Sequence, residues 1–209
     1  MPNSFINRLD FWFDFASTYS YPAAMRIADL AEERQVSIRY RPFLLGPIFA
    51  DQGWRNSPFN IFPNKGKYMW RDMERICAAA HLPFTKPDPF PQNSLLAARV
   101  THALPEEARP AFVRAVYAAA FGAGKAIAER AVLADILTGL GHSASAILEK
   151  AGHDAVKVKL KSESEEARRL GLFGAPSFVT EDGELFWGND RLIDALDWAD
   201  GSSTSGKDT

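Results

Sequence analysis

Four short stretches of the sequence carry residue types that can do chemistry. The first is Ser17-Thr18-Tyr19-Ser20, where an apolar alternating run gives way to a helical pattern. A helix beginning there leaves backbone N–H groups without partners, and these attract negative charge. Cysteines spaced Cys-x-x-Cys at such a junction become reactive thiolates, which a Ser-x-x-Ser cannot do. Two readings of the serines stand side by side. Either hydroxyl can cap the helix by accepting from its first N–H groups. Alternatively, Ser17 donates a hydrogen bond to a thiolate that a ligand brings. A free thiol ionises near pH ~8.5, and lowering that by about two units takes roughly 2.7 kcal/mol of differential stabilisation. One charge-assisted hydrogen bond together with a helix N-terminus is of that order.

The second stretch is Phe173-Gly-Ala-Pro-Ser-Phe178. Pro176 enters a strand after a Gly-Ala turn, and a cis Ala175–Pro176 bond is expected. That would turn the N–H and C=O of Ala175 outward, where an extended peptide can pair with them as another strand would. An ordinary edge-strand start would place the same proline. The third stretch ends in Asp190-Arg191. Asp190 either caps the last helix or holds a ligand's ammonium group. Arg191, mildly disfavoured near a helix start, suits a ligand carboxylate. The fourth runs from Ser57 to Tyr68, where Asn60, Lys65 and Lys67 offer amide and ammonium donors or are simply solvated. His81, His102, His142 and His153 show no ligand-like spacing, and neither a Gly-rich phosphate loop nor zinc spacing occurs, so no metal is expected. The single cysteine, Cys77, excludes an intramolecular disulfide. It lies on an apolar stripe with Met69, Met73, Ile76 and Ala80 and reads as a buried small hydrophobe.

These residues need elements to position them. Leu9, Phe11, Phe13 and Phe15 alternate with Asp10, Trp12 and Asp14, which predicts a strand with one apolar face. A helical pattern follows from Tyr21, then a strand from Val36 to Phe43, and a helical crossover implies that the two strands are parallel. Leu44 to Gly66, rich in Gly, Pro and Asn, predicts a long functional loop. From Lys67 to Leu170 only helical patterns occur, broken at Pro83–Pro91, at Pro105 and near Gly139 and Gly152. Beyond Pro176, two short apolar runs around Asp182-Gly183 predict a hairpin, and a last helix spans Arg191 to Ala199. The order predicts an α/β, thioredoxin-like fold (β-α-β … β-β-α) with a large all-helical insertion domain. Residues 1–66 and 171–200 would form the discontinuous thioredoxin-like domain, 67–170 the insertion, and 201–209 a disordered tail.

Composition narrows the function classes. The 209 residues carry a net charge of −2, with 46% hydrophobic and 24% charged residues, as in soluble globular proteins. No long basic run marks a nucleic-acid or membrane-surface partner. No apolar run approaches the ~18 residues of a spanning helix. The first residues lack a targeting pattern, so a cytoplasmic location is expected.

The segments FWFDFASTYSY, RPFLLGPIF, KYMWRDMER, FGAPSF and FWGNDRL together resemble the 2-hydroxychromene-2-carboxylate isomerases. Those enzymes are similar to kappa-class glutathione transferases and belong to the DsbA-like thioredoxin superfamily. The matching segments run from about Leu9 to Trp198. The resemblance implies glutathione as cofactor and Ser17 as the catalytic serine that orients its sulfur. It also implies that Asn60 lies near substrate and cofactor, that Lys65 is the lysine of a Lys-Gly step, and that Asp72 is the acidic residue beyond it. Ala175, before Pro176, would bind the cysteinyl backbone, and Asp190 and Arg191 would hold the γ-glutamyl end. Two departures stand out. Thr18 occupies a position where the family usually has Pro, which predicts a looser first turn, and the segment before Lys65 is longer than in the kappa enzymes.

The implied reaction isomerises a 2-hydroxychromene-2-carboxylate to a trans-hydroxybenzylidenepyruvate by reversible thiolate addition, bond rotation and elimination. Phe43, Trp54, Phe59 and Phe62 would suit a small aromatic carboxylate, or would pack between domains. A homodimer is also implied. Two alternatives share these residues: a kappa-like glutathione transferase acting on other electrophiles, and a redox-inactive thioredoxin-like module that binds an extended peptide beside Pro176. Disulfide exchange is not expected, because neither Ser17 nor Ser20 can form a disulfide.

Overall fold

The structure is a computed structural model that describes residues 7–202. The expectations for the first six residues and for the tail beyond residue 202 fall outside that range. Strands β1 (Asn7–Phe13) and β2 (Val36–Pro42) flank helix α1 (Ser20–Glu33). They pair in parallel with Leu9 opposite Ile38, as the crossover requires. Between β2 and the next strand run α2 (Leu45–Asp51), α3 (Pro58–Ile61), α4 (Pro63–Ala79), α5 (Leu95–Ala103), α6 (Arg109–Tyr117), α7 (Arg130–Gly139), α8 (Ala144–Lys150) and α9 (Asp154–Arg169). Strands β3 (Ser177–Thr180) and β4 (Leu185–Trp187) form the antiparallel hairpin, and α10 (Leu192–Ala199) closes the described chain. The sheet order is β2-β1-β3-β4, with β3 antiparallel to β1.

The segment from Leu44 to Gly66, expected as a loop, instead carries α2, α3 and the start of α4. Pro58 and Pro63 sit in the first turns of α3 and α4. A missing N–H costs nothing there, so these prolines mark helix starts rather than coil. β1 also differs from expectation, because both of its faces are buried. Leu9, Phe11 and Phe13 pack with Ile27, Phe112 and Tyr117 on one face, and Trp12 packs with Phe43, Ile48 and Val179 on the other. Its central place between β2 and β3 explains this.

Asp10 lies on the Trp12 face and stays ionically paired. Arg39 and Arg41 both reach it, and Arg41 bridges to Glu163 of α9 at 2.6 Å while lying 4.0 Å from the Trp12 ring centroid. Burial of Asp10 and Glu163 is tolerable because each carboxylate is paired, and the cluster joins the sheet to α9. Cys77 is buried on α4 beside Met69 and Met73, and burial pushes its thiol up to about 11.

Candidate functional site

The site begins where β1 stops. Asp14 is buried one residue past the strand, and its carboxylate accepts from Ala16 N–H at 2.9 Å and Leu45 N–H at 2.8 Å. It therefore ties the strand end to the start of α2. Burial pushes this carboxyl above its ordinary range, and the N–H donors oppose that rise. The Asp14 carbonyl accepts from Ser17 N–H at 2.8 Å and from the Tyr117 hydroxyl at 2.9 Å, which bends the chain sharply before α1.

That bend decides where Ser17 points. Its hydroxyl donates to the Ala175 carbonyl at 2.7 Å, across 158 residues of sequence. It does not cap α1; the cap position is Tyr19, with no side-chain bond, and Ser20 is the first, fully buried helical residue. The capping reading of Ser17 is thereby set aside. Thr18 does not loosen the turn either. Its buried hydroxyl donates to Met69 Sδ at 3.1 Å and pins the junction to α4.

The Ala175–Pro176 bond is cis, as the sequence predicts. The Ala175 N–H finds no acceptor among the described residues, and Ala175 lines the main cavity. The Pro176 carbonyl accepts from Gly188 N–H at 2.9 Å and holds the loop that carries Asp190. Gly188 has φ +113°, and a Cβ there would overlap the Asp190 carboxylate, so the turn depends on glycine. Asp190 does not cap α10, whose cap position is Arg191, again without a side-chain bond. Instead the Asp190 carboxylate lies 3.6 Å from Arg191 Nε, and Arg191 Nη1 reaches Asp194 at 2.8 Å. Next to this pair, Asn189 is held by Arg26 of α1, with Nη2 donating to Oδ1 at 2.8 Å.

The facing wall comes from α2, α3 and α4. The Tyr19 ring packs 6.2 Å from Phe59, and its hydroxyl donates to Asp72 at 3.1 Å, while Arg75 takes the other Asp72 oxygen at 3.0 Å. Burial, reinforced by Asp72, raises the phenol far above its usual value, so Tyr19 stays protonated. Lys65 is exposed in the first turn of α4 with Nζ 5.2 Å from the Phe62 ring centroid. Beside it, a Cβ on Gly66 would overlap the Phe59 carbonyl, so only glycine lets α3 lie this close to α4.

Ser17, Lys65, Asp72, Ala175, Asp190 and Arg191 all line one cavity of about 1460 Å³. That exceeds the roughly 300–1,000 Å³ of a single small-ligand pocket, leaving room for two ligands. Asn60 is not among its lining residues. Its side-chain amide donates to the Phe90 carbonyl at 3.0 Å and to Asn56, and it borders a separate cavity of about 430 Å³. Of the aromatics singled out from sequence, Trp54 and Phe59 line the main cavity. Phe43 is core, edge-on to Trp12 at 6.0 Å, and Phe62 stands 43% exposed beside Trp54.

Sequence reasoning missed Asp14, Tyr19 and Arg26. A carboxylate ending an apolar strand was the available signal for Asp14, and Tyr19 lies inside the Ser-x-x-Ser itself. Nothing local marked Arg26.

A DSBA-like thioredoxin domain model matches residues 8–197. The chain is 32% identical over 185 residues to the 2-hydroxychromene-2-carboxylate isomerase of Sphingobium xenophagum, covering 88% of this chain and 93% of that protein. It is 28% identical over 199 residues to glutathione S-transferase kappa 1 of Homo sapiens, covering 88% and 87%. Among solved structures, a selenomethionine 2-hydroxychromene-2-carboxylate isomerase superposes with a TM-score of 0.84 at 27% identity, over 94% of this chain and 96% of that one.

Proposed function

The chain belongs to the DSBA-like thioredoxin family and is a relative of its 2-hydroxychromene-2-carboxylate isomerases, and on that premise we propose that it is a glutathione-dependent isomerase of 2-hydroxychromene-2-carboxylate-type aromatic acids. The observation that carries this reading is the Ser17 hydroxyl at the helix N-terminus, 2.7 Å from the Ala175 carbonyl, in a cavity that no cysteine lines among the described residues. A hydroxyl in that place suits a borrowed thiolate and is useless for disulfide exchange.

The residues present fit glutathione. The Ala175 N–H and C=O suit an extended cysteinyl backbone. Asp190 and Arg191 offer opposite charges for an amino-acid end, and Lys65 offers a cation for a carboxylate. When bound, glutathione supplies a thiolate that adds reversibly to a conjugated double bond and leaves once the resulting single bond has turned. Ser17, released from Ala175, donates its hydroxyl proton toward the sulfur and, with the α1 N-terminus, favours the ionised form. Ala175 would hold the cysteinyl backbone beside Ser17. Asp190 and Arg191 fix the far end. Trp54 and Phe59 flank the remaining volume with apolar surface that excludes water and suits a flat ring.

Glutathione titrated by calorimetry, with thiolate absorbance followed in the ultraviolet, tests the assignment. Wild type should bind and ionise the thiol, whereas Ser17→Ala should bind without ionising it. Absence of binding up to millimolar glutathione would sink the reading. A kappa-like transferase acting on other electrophiles is the second reading, favoured by the human relative at 28% identity, and substrate profiling separates the two. No helix among the described residues is long and apolar enough to cross a membrane. The proposal takes the enzyme as a cytoplasmic homodimer, which light scattering on the purified protein checks for oligomeric state.

A further inference from the structure

We infer that Arg55 is the anchor for the carboxylate of the aromatic substrate, an inference that rests on the isomerase reading above. The cavity wall presents three cations, Arg55, Lys65 and Arg191. The glutathione reading already uses two of them, Arg191, which pairs with Asp190 and Asp194, and Lys65, which sits over the Phe62 ring. Arg55 has no ion pair, hydrogen bond or ring contact among the described residues. Arg55 is exposed and is one of the residues that line the cavity.

Ligand chemistry and sequence neighbours supply the rest. Glutathione and an aromatic carboxylate together bring three carboxylates into a cavity with three cations, so a second acid cannot be accommodated by the cofactor's own two anchors. Arg55 follows Trp54 directly, and Trp54 packs 5.7 Å from Phe49 and 6.3 Å from Phe62. Phe49, Trp54 and Arg55 line the same cavity, so on this proposal a flat ring rests against Trp54 while the guanidinium takes its carboxylate, a planar anion that Arg can read in bidentate fashion. Arg55 is thus a specificity-determining residue for acids over neutral aromatics.

The test uses chroman-2-carboxylate and its neutral carboxamide, which lack the reactive double bond. Their affinities are measured by calorimetry, with and without saturating glutathione, for wild type, Arg55→Ala and Arg55→Lys. Wild type should prefer the acid. Arg55→Ala should weaken acid binding about five- to tenfold, change the carboxamide by less than about twofold, and leave glutathione affinity in place; Arg55→Lys should restore part of the loss. Equal weakening of acid and carboxamide overturns the inference, as does a wild type without acid preference. A parallel fall in glutathione affinity overturns it too, and gives Arg55 to the cofactor. If wild type prefers the acid through Arg55 yet does not turn over 2-hydroxychromene-2-carboxylate, the isomerase reading fails and the anchor stands.

Discussion

On the sheet side of the cavity, three positions are held by hydrogen bonds between separate segments, while the side chains of Asp190 and Arg191 pair only with each other and with Asp194 among the described residues. Ser17 is held on Ala175, Asn189 on Arg26, and Gly188 on the Pro176 carbonyl. On the helical side, Trp54 and Arg55 lie between the seven-residue α2 and the four-residue α3, and Lys65 sits in the first turn of α4, with Arg55 and Lys65 exposed to solvent. A wall bound this tightly offers fixed geometry, as orienting a small invariant thiol demands. A wall of exposed side chains on short elements tolerates replacement, as suits the ligand that differs between relatives. On the proposed reading, the sheet side would orient the glutathione thiol, Trp54 and Arg55 would choose the substrate, and Lys65 would be the helical-side residue that serves glutathione.

Four substitutions sharpen that assignment or break it. Ser17→Ala should have the largest effect, lowering kcat at neutral pH by up to about 25-fold, the fall in thiolate fraction when a roughly two-unit pKa shift of the thiol is lost; stopped-flow turnover beside thiolate absorbance shows it, and an unchanged kcat removes the sheet side from the chemistry. Asp14→Ala cuts the tie between the walls. It strands the buried N–H groups of Ala16 and Leu45 and should cost about 2 kcal/mol in urea unfolding. Because burial raises the Asp14 carboxyl above its unfolded value of 3.8, its contribution is most favourable at low pH and is lost as pH rises through the folded pKa. That acid-range slope should flatten in Asp14→Ala. Arg191→Ala should raise the glutathione Kd about tenfold while saturated kcat is retained. Trp54→Ala should be mildest, raising KM for the aromatic acid about threefold through lost ring contact. A larger effect of Trp54→Ala than of Arg191→Ala on glutathione affinity would reverse the assignment of the walls.

What could be read from sequence follows how local each feature is. The β-α-β start, the Asp182-Gly183 hairpin and the last helix depend on short-range periodicity and turn chemistry, and all appear where the pattern puts them. The buried second face of β1 was not legible, since Asp10 and Trp12 look like a solvent face until Arg39, Arg41 and Glu163 are brought to them. Asn60 shows the same limit. Its position beside Lys65 suggested a shared site, but α3 turns its amide toward Phe90, a contact thirty residues away in sequence. Arg26 meets Asn189 across 163 residues, and no spacing rule reaches that far. Pro58 and Pro63 misled for a different reason, because proline signals a boundary without saying which side is helical.

The bond from Ser17 to Ala175 also bears on which thiols the site would accept. The Ser17 hydroxyl proton is committed to the Ala175 carbonyl, so it can reach a sulfur only after turning away from that oxygen. A simple alkyl thiol has nothing to exchange for that bond, whereas a peptide thiol brings an N–H that can take over the carbonyl and set the hydroxyl free. On the proposed reading the contact would favour a thiol carried on a peptide backbone over a bare one, because only the former brings a replacement partner for the carbonyl.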